Sequence, residues 1–327
     1  MNEDALVAAI AEIAGSPKAV RIVVGIGDDA ALWQPSRSHR SAITSDMLVE
    51  GVHFTRELMS LEDAGWRAMA ANASDLAAMG ARPLLATVGI GMPEGAALDD
   101  IRSLYAGLAA CARACKLAIV GGDLSRSNAM TIAVTAVGEV RAADAKLRSG
   151  GRAGDVVAVT GALGAARAGL AAAKDAALLA GDLRDAALAA FRRPSPRCDE
   201  GRFLAASQNV DAMMDCSDGV STDLDRLCAA SGVGANVDFV PVANAADAAA
   251  RALGEDPEAF ALAGGEDFEL LTAVRPRAFP YVARRFRARF GRELLRIGTL
   301  RAEPGVALRG KALARTGWDH FARAGAG

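Results

Sequence analysis

Apolar and polar positions follow two rhythms along the chain. Residues 22–33 (IVVGIGDDAALW) read as strand, acidic turn, strand, and residues 41–54 (SAITSDMLVEGVHF) are again β-rich, interrupted at Ser45-Asp46. The rhythm changes at 61–79, where Ala and Met recur at helical spacing; Asn72 and Asp75, three apart, share a helix face. Residues 83–92 return to strand, and 99–117 read as an amphipathic helix with acids in its first turn, where the dipole favours them. Residues 118–125 predict a strand running into a glycine turn, and 130–140 another strand. The polar, glycine-rich stretch 141–154 (RAADAKLRSGGRAG) predicts a linker between a domain over 1–140 and a second over 155–327. The second domain opens with a strand, continues as an Ala-rich helix over 163–190, and carries a proline-punctuated loop (RRPSPR, 192–197). A strand ending in an acidic turn follows (212–219), then a helix over 221–230 with Ser221 as its cap. A glycine turn enters a strand at 264–274, and RIGTL and GVALRG read as late strands. Strands and helices alternate, but two early ββ connections predict an α/β chain with α+β layers rather than a strictly parallel sheet.

Composition narrows the class. A chain of 327 residues with 52% apolar and 23% charged residues is globular and has room for two domains. A net charge of −2 without a long basic run excludes an electrostatic nucleic-acid footprint. No apolar span approaches the roughly 20 residues of a membrane helix. The start, MNEDALVAAI, lacks the basic region of a secretory signal. The five cysteines (111, 115, 198, 216, 228) have no paired spacing, which argues against a disulfide framework. Cys111 and Cys115 read as small buried hydrophobes, and the expected compartment is a reducing cytoplasm.

Seven aspartates change the picture. They lie in Gly- or Ser-rich segments at strand ends: GIGDDAA (Asp28, Asp29), TSDM (Asp46), NASDLAAMG (Asp75), GGDLS (Asp123) and MDCSDGVSTD (Asp215, Asp218). Each alone is an ordinary turn. Repeated at the ends of apolar strands, where open sheets place ligands, they point to one cleft. Carboxylates share a cleft only when cations neutralise them, and hard divalent ions of that kind serve polyphosphate.

Other motifs sharpen this. GIGDDA matches G-x-G-x-x-A by the letter, with Glu50 about 20 residues on. A dinucleotide loop, however, should open a helix and present N–H groups, whereas here two aspartates would face the pyrophosphate. There is no P-loop sequence and no protein-kinase set. Arg148 in LRSGG is either a solvated linker charge or an arm onto phosphate. His53 reads first as structural. Glu266, held by the double glycine of GGEDFELL, is a candidate facing a cleft, and Trp318 in TGWDHF is either core or a wall for an aromatic ligand.

The ordered set GIGDDAA, TSDMLVEGVHF, NASDLAAMGARP, GGDLSRS, LRSGGRAGD, RPSPR, SDGVSTDL and GGEDFELL resembles the bacterial thiamine-monophosphate kinases, over essentially the whole chain from Gly25 to Trp318. These belong to the superfamily of aminoimidazole ribonucleotide synthetase. One small departure is Met214-Asp215-Cys216, where the family usually has aliphatic residues around the acid. The resemblance implies a two-domain fold whose N-terminal domain forms a β-barrel shared across a homodimer, beside an α/β C-terminal domain. It implies ATP-dependent phosphorylation of thiamine monophosphate to thiamine diphosphate by direct in-line transfer with several Mg2+ ions, and no catalytic side chain acting as nucleophile or dedicated base. By the family pattern Asp29, Thr44, Ser45, Asp46, Asp75, Asp123, Asp215 and Asp218 would bind the metals. Gly122, Asp123, Arg148 and Ser217 would contact ATP, and His53, Glu266 and Trp318 the thiamine phosphate; Asp28 has no assigned part. The alternatives are a sister enzyme using ATP on another small phosphorylated substrate, or a non-catalytic nucleotide-binding protein on the same scaffold. Neither nucleic acid nor membrane is an expected partner.

Overall fold

The computed structural model describes residues 3–15, 21–24, 26 and 30–317. They form two compact units. The first runs to Ala145 and includes Ser195–Arg202; the second takes Lys146–Pro194 and the chain from Phe203 onward.

The first unit contains α1 (Glu3–Ala14), β1 (Ile22–Val24), β2 (Leu32–Trp33), β3 (His39–Val49), α2 (Leu61–Ala78), β4 (Arg82–Met92), α3 (Leu98–Cys115), β5 (Ala118–Arg126) and β6 (Thr131–Arg141). Four strands form an open sheet in the order β3-β6-β4-β5, antiparallel except for β4–β5. Two elements differ from expectation. Ser45-Asp46 does not interrupt β3, whose 11 residues pair continuously with β6 from His39↔Arg141 to Val49↔Thr131. Likewise β5 runs straight through Gly121, Gly122 and Asp123 instead of turning. Gly122 is there for proximity: a Cβ on it would sit 1.9 Å from the Val88 carbonyl oxygen of β4.

Helix α2 starts at Ser60, whose hydroxyl accepts from Asp63 N at 3.1 Å. It packs tightly on α3, because Cβ atoms at Gly65 and Gly107 would lie 2.1 Å from Leu104 O and 1.7 Å from Glu62 O. The other flank of α2 covers the sheet, so alternate residues of β6 are buried beneath it and those of β3 half-buried.

The second unit contains β7 (Val156–Val159), α4 (Ala165–Lys174), α5 (Gly181–Arg192), the end of α6 (Cys198–Ala205), β8 (Val210–Asp215), α7 (Val220–Ser231), β9 (Gly234–Val237), α8 (Asn244–Leu253), α9 (Pro257–Ala263), β10 (Leu270–Val274), α10 (Phe279–Phe290), β11 (Leu295–Arg301), β12 (Gly305–Leu308) and β13 (Lys311–Ala312). Its sheet has the order β13-β12-β9-β11-β7-β10-β8, with only β12–β9 parallel. Val157, Leu224, Leu271 and Ile297 lie in the core between this sheet and α7, while α4, α5, α8 and α9 pack an alanine-rich cluster around Phe260. The helix expected over 163–190 is two helices. Between them Asp175 Oδ1 accepts from Ala177 N at 2.9 Å, a local turn that competes with helix continuation. Ser221 is not the cap of α7: Gly219 holds that position, and Ser221 Oγ lies 3.0 Å from Thr316 Oγ1.

Residues 146–154, expected as linker, are packed into this unit. Lys146 is buried and donates to Ser207 O at 3.1 Å, Gly151 N donates to Ser231 Oγ at 3.0 Å, and Gly154 N to Leu300 O at 2.8 Å. Glycine permits it, since a Cβ on Gly150 would meet Asp211 O at 1.8 Å.

Candidate functional site

In the first unit, two predicted oxygen ligands meet where the β3 edge passes under α2, and a third shares their face. Thr44 Oγ1 donates a short hydrogen bond to Asp75 Oδ2. Asp46, two residues along β3, shares the face of Thr44. Asn72, one turn from Asp75 and fully buried, donates from Nδ2 to Ala68 O at 3.0 Å, while its Oδ1 has no hydrogen-bond partner among the described residues. Two carboxylates, a hydroxyl and a spare amide oxygen are hard donors, the chemistry that suits Mg2+ rather than a softer metal. Ser45 is not part of this group. Strand alternation turns its hydroxyl to the opposite face, 3.0 Å from Thr135 Oγ1.

That opposite face carries a cleft of about 850 Å3, lined by Ile26, Trp33, Thr87, Gly89, Gly121, Gly122 and Asp123 among others. Apolar walls, a floor without side chains and one carboxylate suit a nucleotide. Asp123 lies on β5 and Asp46 on β3, the two edges of the sheet, three strand spacings or about 14 Å apart. Within one unit, then, Asp123 and the Asp46–Asp75 pair are not together. His53 closes the turn after β3: its Nδ1 accepts from Val49 N at 3.0 Å, so a ligand contact would fall to Nε2. Asp28 and Asp29 lie outside the described residues, as does Trp318.

In the second unit, antiparallel pairing of Leu270 with Asp215 brings the end of β8 beside the start of β10. The loops beyond them are laced together: Glu266 N donates to Ser217 O at 2.7 Å and Phe268 N to Cys216 O at 3.0 Å. Asp215, Ser217, Asp218 and Glu266 are thus gathered at one end of the sheet. Glu266 and Phe268 hold φ of 63° and 47°, a left-handed backbone that side chains rarely adopt and that clusters at functional loops. Gly317, the last described residue, lies against Asp218: a Cβ on it would meet Asp218 O at 1.9 Å.

Three residues that sequence reasoning missed shape this end. Asp223 is fully buried; its Oδ2 accepts from Ser217 N at 3.1 Å and Asp218 N at 3.0 Å, which fixes the loop's backbone. Burial, and then the charge of Asp218, push its pKa up to about 7. Arg226 NH1 donates to Asp218 Oδ2 in a short bond and to Asp223 Oδ1 at 3.1 Å. Asp267 Oδ2 accepts from Gly164 N at 2.7 Å and its Oδ1 from Ala166 N at 3.4 Å, at the start of α4. Cys216 sits among the acids: burial first, then Asp223, Asp215, Asp267 and Glu269 push its thiol well above the usual range. The only hint was position, since Asp223 and Arg226 are i,i+3 on the helix that follows the loop.

The backbone of Arg148 is anchored at the far end of α7, where its carbonyl accepts from Ser231 Oγ at 2.6 Å. Among the described residues, no three His, Cys, Asp or Glu side chains form a set that could hold a metal ion. One Mg2+ needs only one or two protein carboxylates when substrate oxygens complete its shell.

Family models agree with the geometry. The AIR synthase related protein N-terminal domain matches residues 27–140, and the corresponding C-terminal domain matches residues 152–311. The thiamine-monophosphate kinase of Synechococcus elongatus is 39% identical over 255 residues, 76% of this chain and 77% of that protein. The crystal structure of thiamine-monophosphate kinase from Stenotrophomonas maltophilia K279a covers 95% of this chain and 98% of its own, at 34% identity and a TM-score of 0.84. A structure of AaThiL complexed with AMPPCP and TMP covers 98% and 97%, at 30% identity and a TM-score of 0.78. With oxygen-rich ends in both units and likeness running through both, the chain belongs to the AIR synthase related family and, within it, to the thiamine-monophosphate kinases.

Proposed function

We propose that this thiamine-phosphate kinase passes the γ-phosphoryl group of ATP directly, in line, to the phosphate of thiamine monophosphate, with several Mg2+ ions. The observation that carries the reading is the likeness, over 98% of the chain, to AaThiL complexed with AMPPCP and TMP. Asp29, Thr44, Asp46, Asp75, Asp123, Asp215 and Asp218 would hold the metals. Ser45 belongs to the proposed set as well, with its hydroxyl beside Thr135 on the other face of β3. Bound Mg2+ supplies charge neutralisation between two anionic substrates. Gly122 and Asp123 receive ATP in the cleft on β4 and β5, with Arg148 and Ser217 as further phosphate contacts. His53, Glu266 and Trp318 receive the thiamine phosphate. The acceptor phosphate is ionised near neutral pH and needs no strong general base. The five cysteines are buried free thiols, which supports transfer without a thiol phosphoenzyme and a reducing, cytoplasmic setting.

A homodimer is part of the proposal. Ile43 and Met47, 69% and 54% exposed on the outer face of the edge strand β3, give a second copy an apolar surface on which a shared barrel would close. The test of function is an assay with Mg-ATP, chiral at the γ-phosphorus, and thiamine monophosphate. Equal amounts of ADP and thiamine diphosphate, with inversion at phosphorus, are expected. Retention would sink the direct transfer, and ADP release only with another acceptor would favour the sister-enzyme reading.

A further inference from the structure

We infer that Arg226 is an internal counter-cation of Asp218, a positioning residue that a divalent ion must displace before Asp218 can serve as its ligand. The inference rests on the metal-binding role proposed for Asp218. One guanidinium nitrogen, NH1, donates to both Asp218 Oδ2 and Asp223 Oδ1. The two acids differ in what they can give up. Asp223 is fully buried, accepts two backbone N–H groups, and has no exchange with solvent. The Asp218 side chain is 28% exposed and that of Arg226 37%, so this half of the bridge is open to a competing ion.

When an ion takes Asp218, Arg226 keeps its second anchor on Asp223 and stays beside the ion as a positive group. The local charge then rises by that of the ion, and the guanidinium is released toward polyphosphate, the anionic class the site handles. Before that exchange Asp218 is neutralised internally, which lets it lie close to Asp223 without an ion. The arrangement lowers affinity for metal alone.

A partly exposed ion pair is worth a factor of about two to five in binding. Mn2+ binding to the nucleotide-free protein, read by electron paramagnetic resonance of free Mn2+, tests the idea. Arg226→Gln should tighten Mn2+ binding by about two- to fivefold, and Arg226→Lys should return it toward the wild-type value. Unchanged or weaker binding in Arg226→Gln, with its melting temperature retained, overturns the inference. Asp218→Asn separates the two levels. It must weaken Mn2+ binding, and if it does not, Asp218 is no ligand and the underlying reading fails as well. Should Arg226→Gln not fold, a wild-type crystal soaked in Mn2+ decides: Asp218 should be bound to the ion and parted from Arg226, and an intact Arg226–Asp218 bond with Mn2+ on Asp218 overturns the exchange.

Discussion

Replacing Asp267 by Asn should change how stability depends on pH, with a sign that follows from the fold. The Asp267 carboxylate is half-buried at the start of α4, and its pKa is pushed up to about 7. Burial is the main cause; hydrogen bonds from Gly164 and Ala166 oppose it, and the charge of Glu269 adds to it. In the unfolded chain the group returns to its ordinary 3.8. Between those values the folded protein holds a proton that the unfolded chain has lost. Folding therefore takes up a proton, and the group's contribution to stability falls as pH rises toward 7, flattening above it. From pH 5 to pH 8 the wild type crosses about two units of this window. At about 1.36 kcal/mol per unit, it should lose about 3 kcal/mol relative to a variant that cannot ionise there. Asn keeps one oxygen for Gly164 N, so the cap is not abolished. Urea denaturation of both proteins at pH 5 and pH 8 gives four stabilities, and the other titrations cancel in the difference. Asp267→Asn should gain on the wild type as pH rises. A difference that stays constant, or moves the other way, refutes the assignment of a proton-retaining carboxyl.

Asp75→Asn and Asp123→Asn should each lower turnover by at least about a hundredfold with little change in melting temperature; a near-normal rate at limiting Mg2+ would remove that residue from the metal set. Gly122→Ala places a Cβ 1.9 Å from Val88 O, so β5 must shift, costing about 1–3 kcal/mol; binding of a non-hydrolysable ATP analogue should weaken, and unchanged calorimetric affinity would take ATP away from this cleft. Glu266→Gly should be more stable than Glu266→Ala by about 1 kcal/mol, because only glycine relieves the left-handed backbone; both should raise the KM for thiamine phosphate, and equal stabilities would mean the loop relaxes.

Much of the first unit is legible in the sequence because its strands are long. β3, β4 and β6 each run for 11 residues, so apolar alternation is sustained. The differences from expectation fall where local chemistry points one way and pairing another. Gly121-Gly122 signals a turn by composition, yet Gly122 is present because β5 approaches β4 closely. Ser45 looks equivalent to Thr44 and Asp46 in a string of letters, but a period of two puts it on the other face. Arg226 and Asp267 were hidden for a different reason: their roles are defined by partners 8 and 103 residues away. No local pattern carries such distances. The α8 and α9 segments were unassigned because their alanines pack against other alanines, with little contrast between buried and exposed positions.

The return of Ser195–Arg202 to the first unit bears on modularity. Cys198 Sγ donates to Ala73 O at 3.6 Å, and Gly201 is so close to α2 that a Cβ would meet Ala77 O at 2.2 Å. A gene fragment ending at Ala145 would encode the four-stranded sheet and three helices, yet leave the back of α2 uncovered. The missing cover is encoded about 50 codons downstream, after two helices of the other unit. The two halves therefore cannot be exchanged by a single crossover, and a chimaera with another family member must carry three junctions, one after Ala145 and one on each side of the returning segment, to inherit an intact first unit.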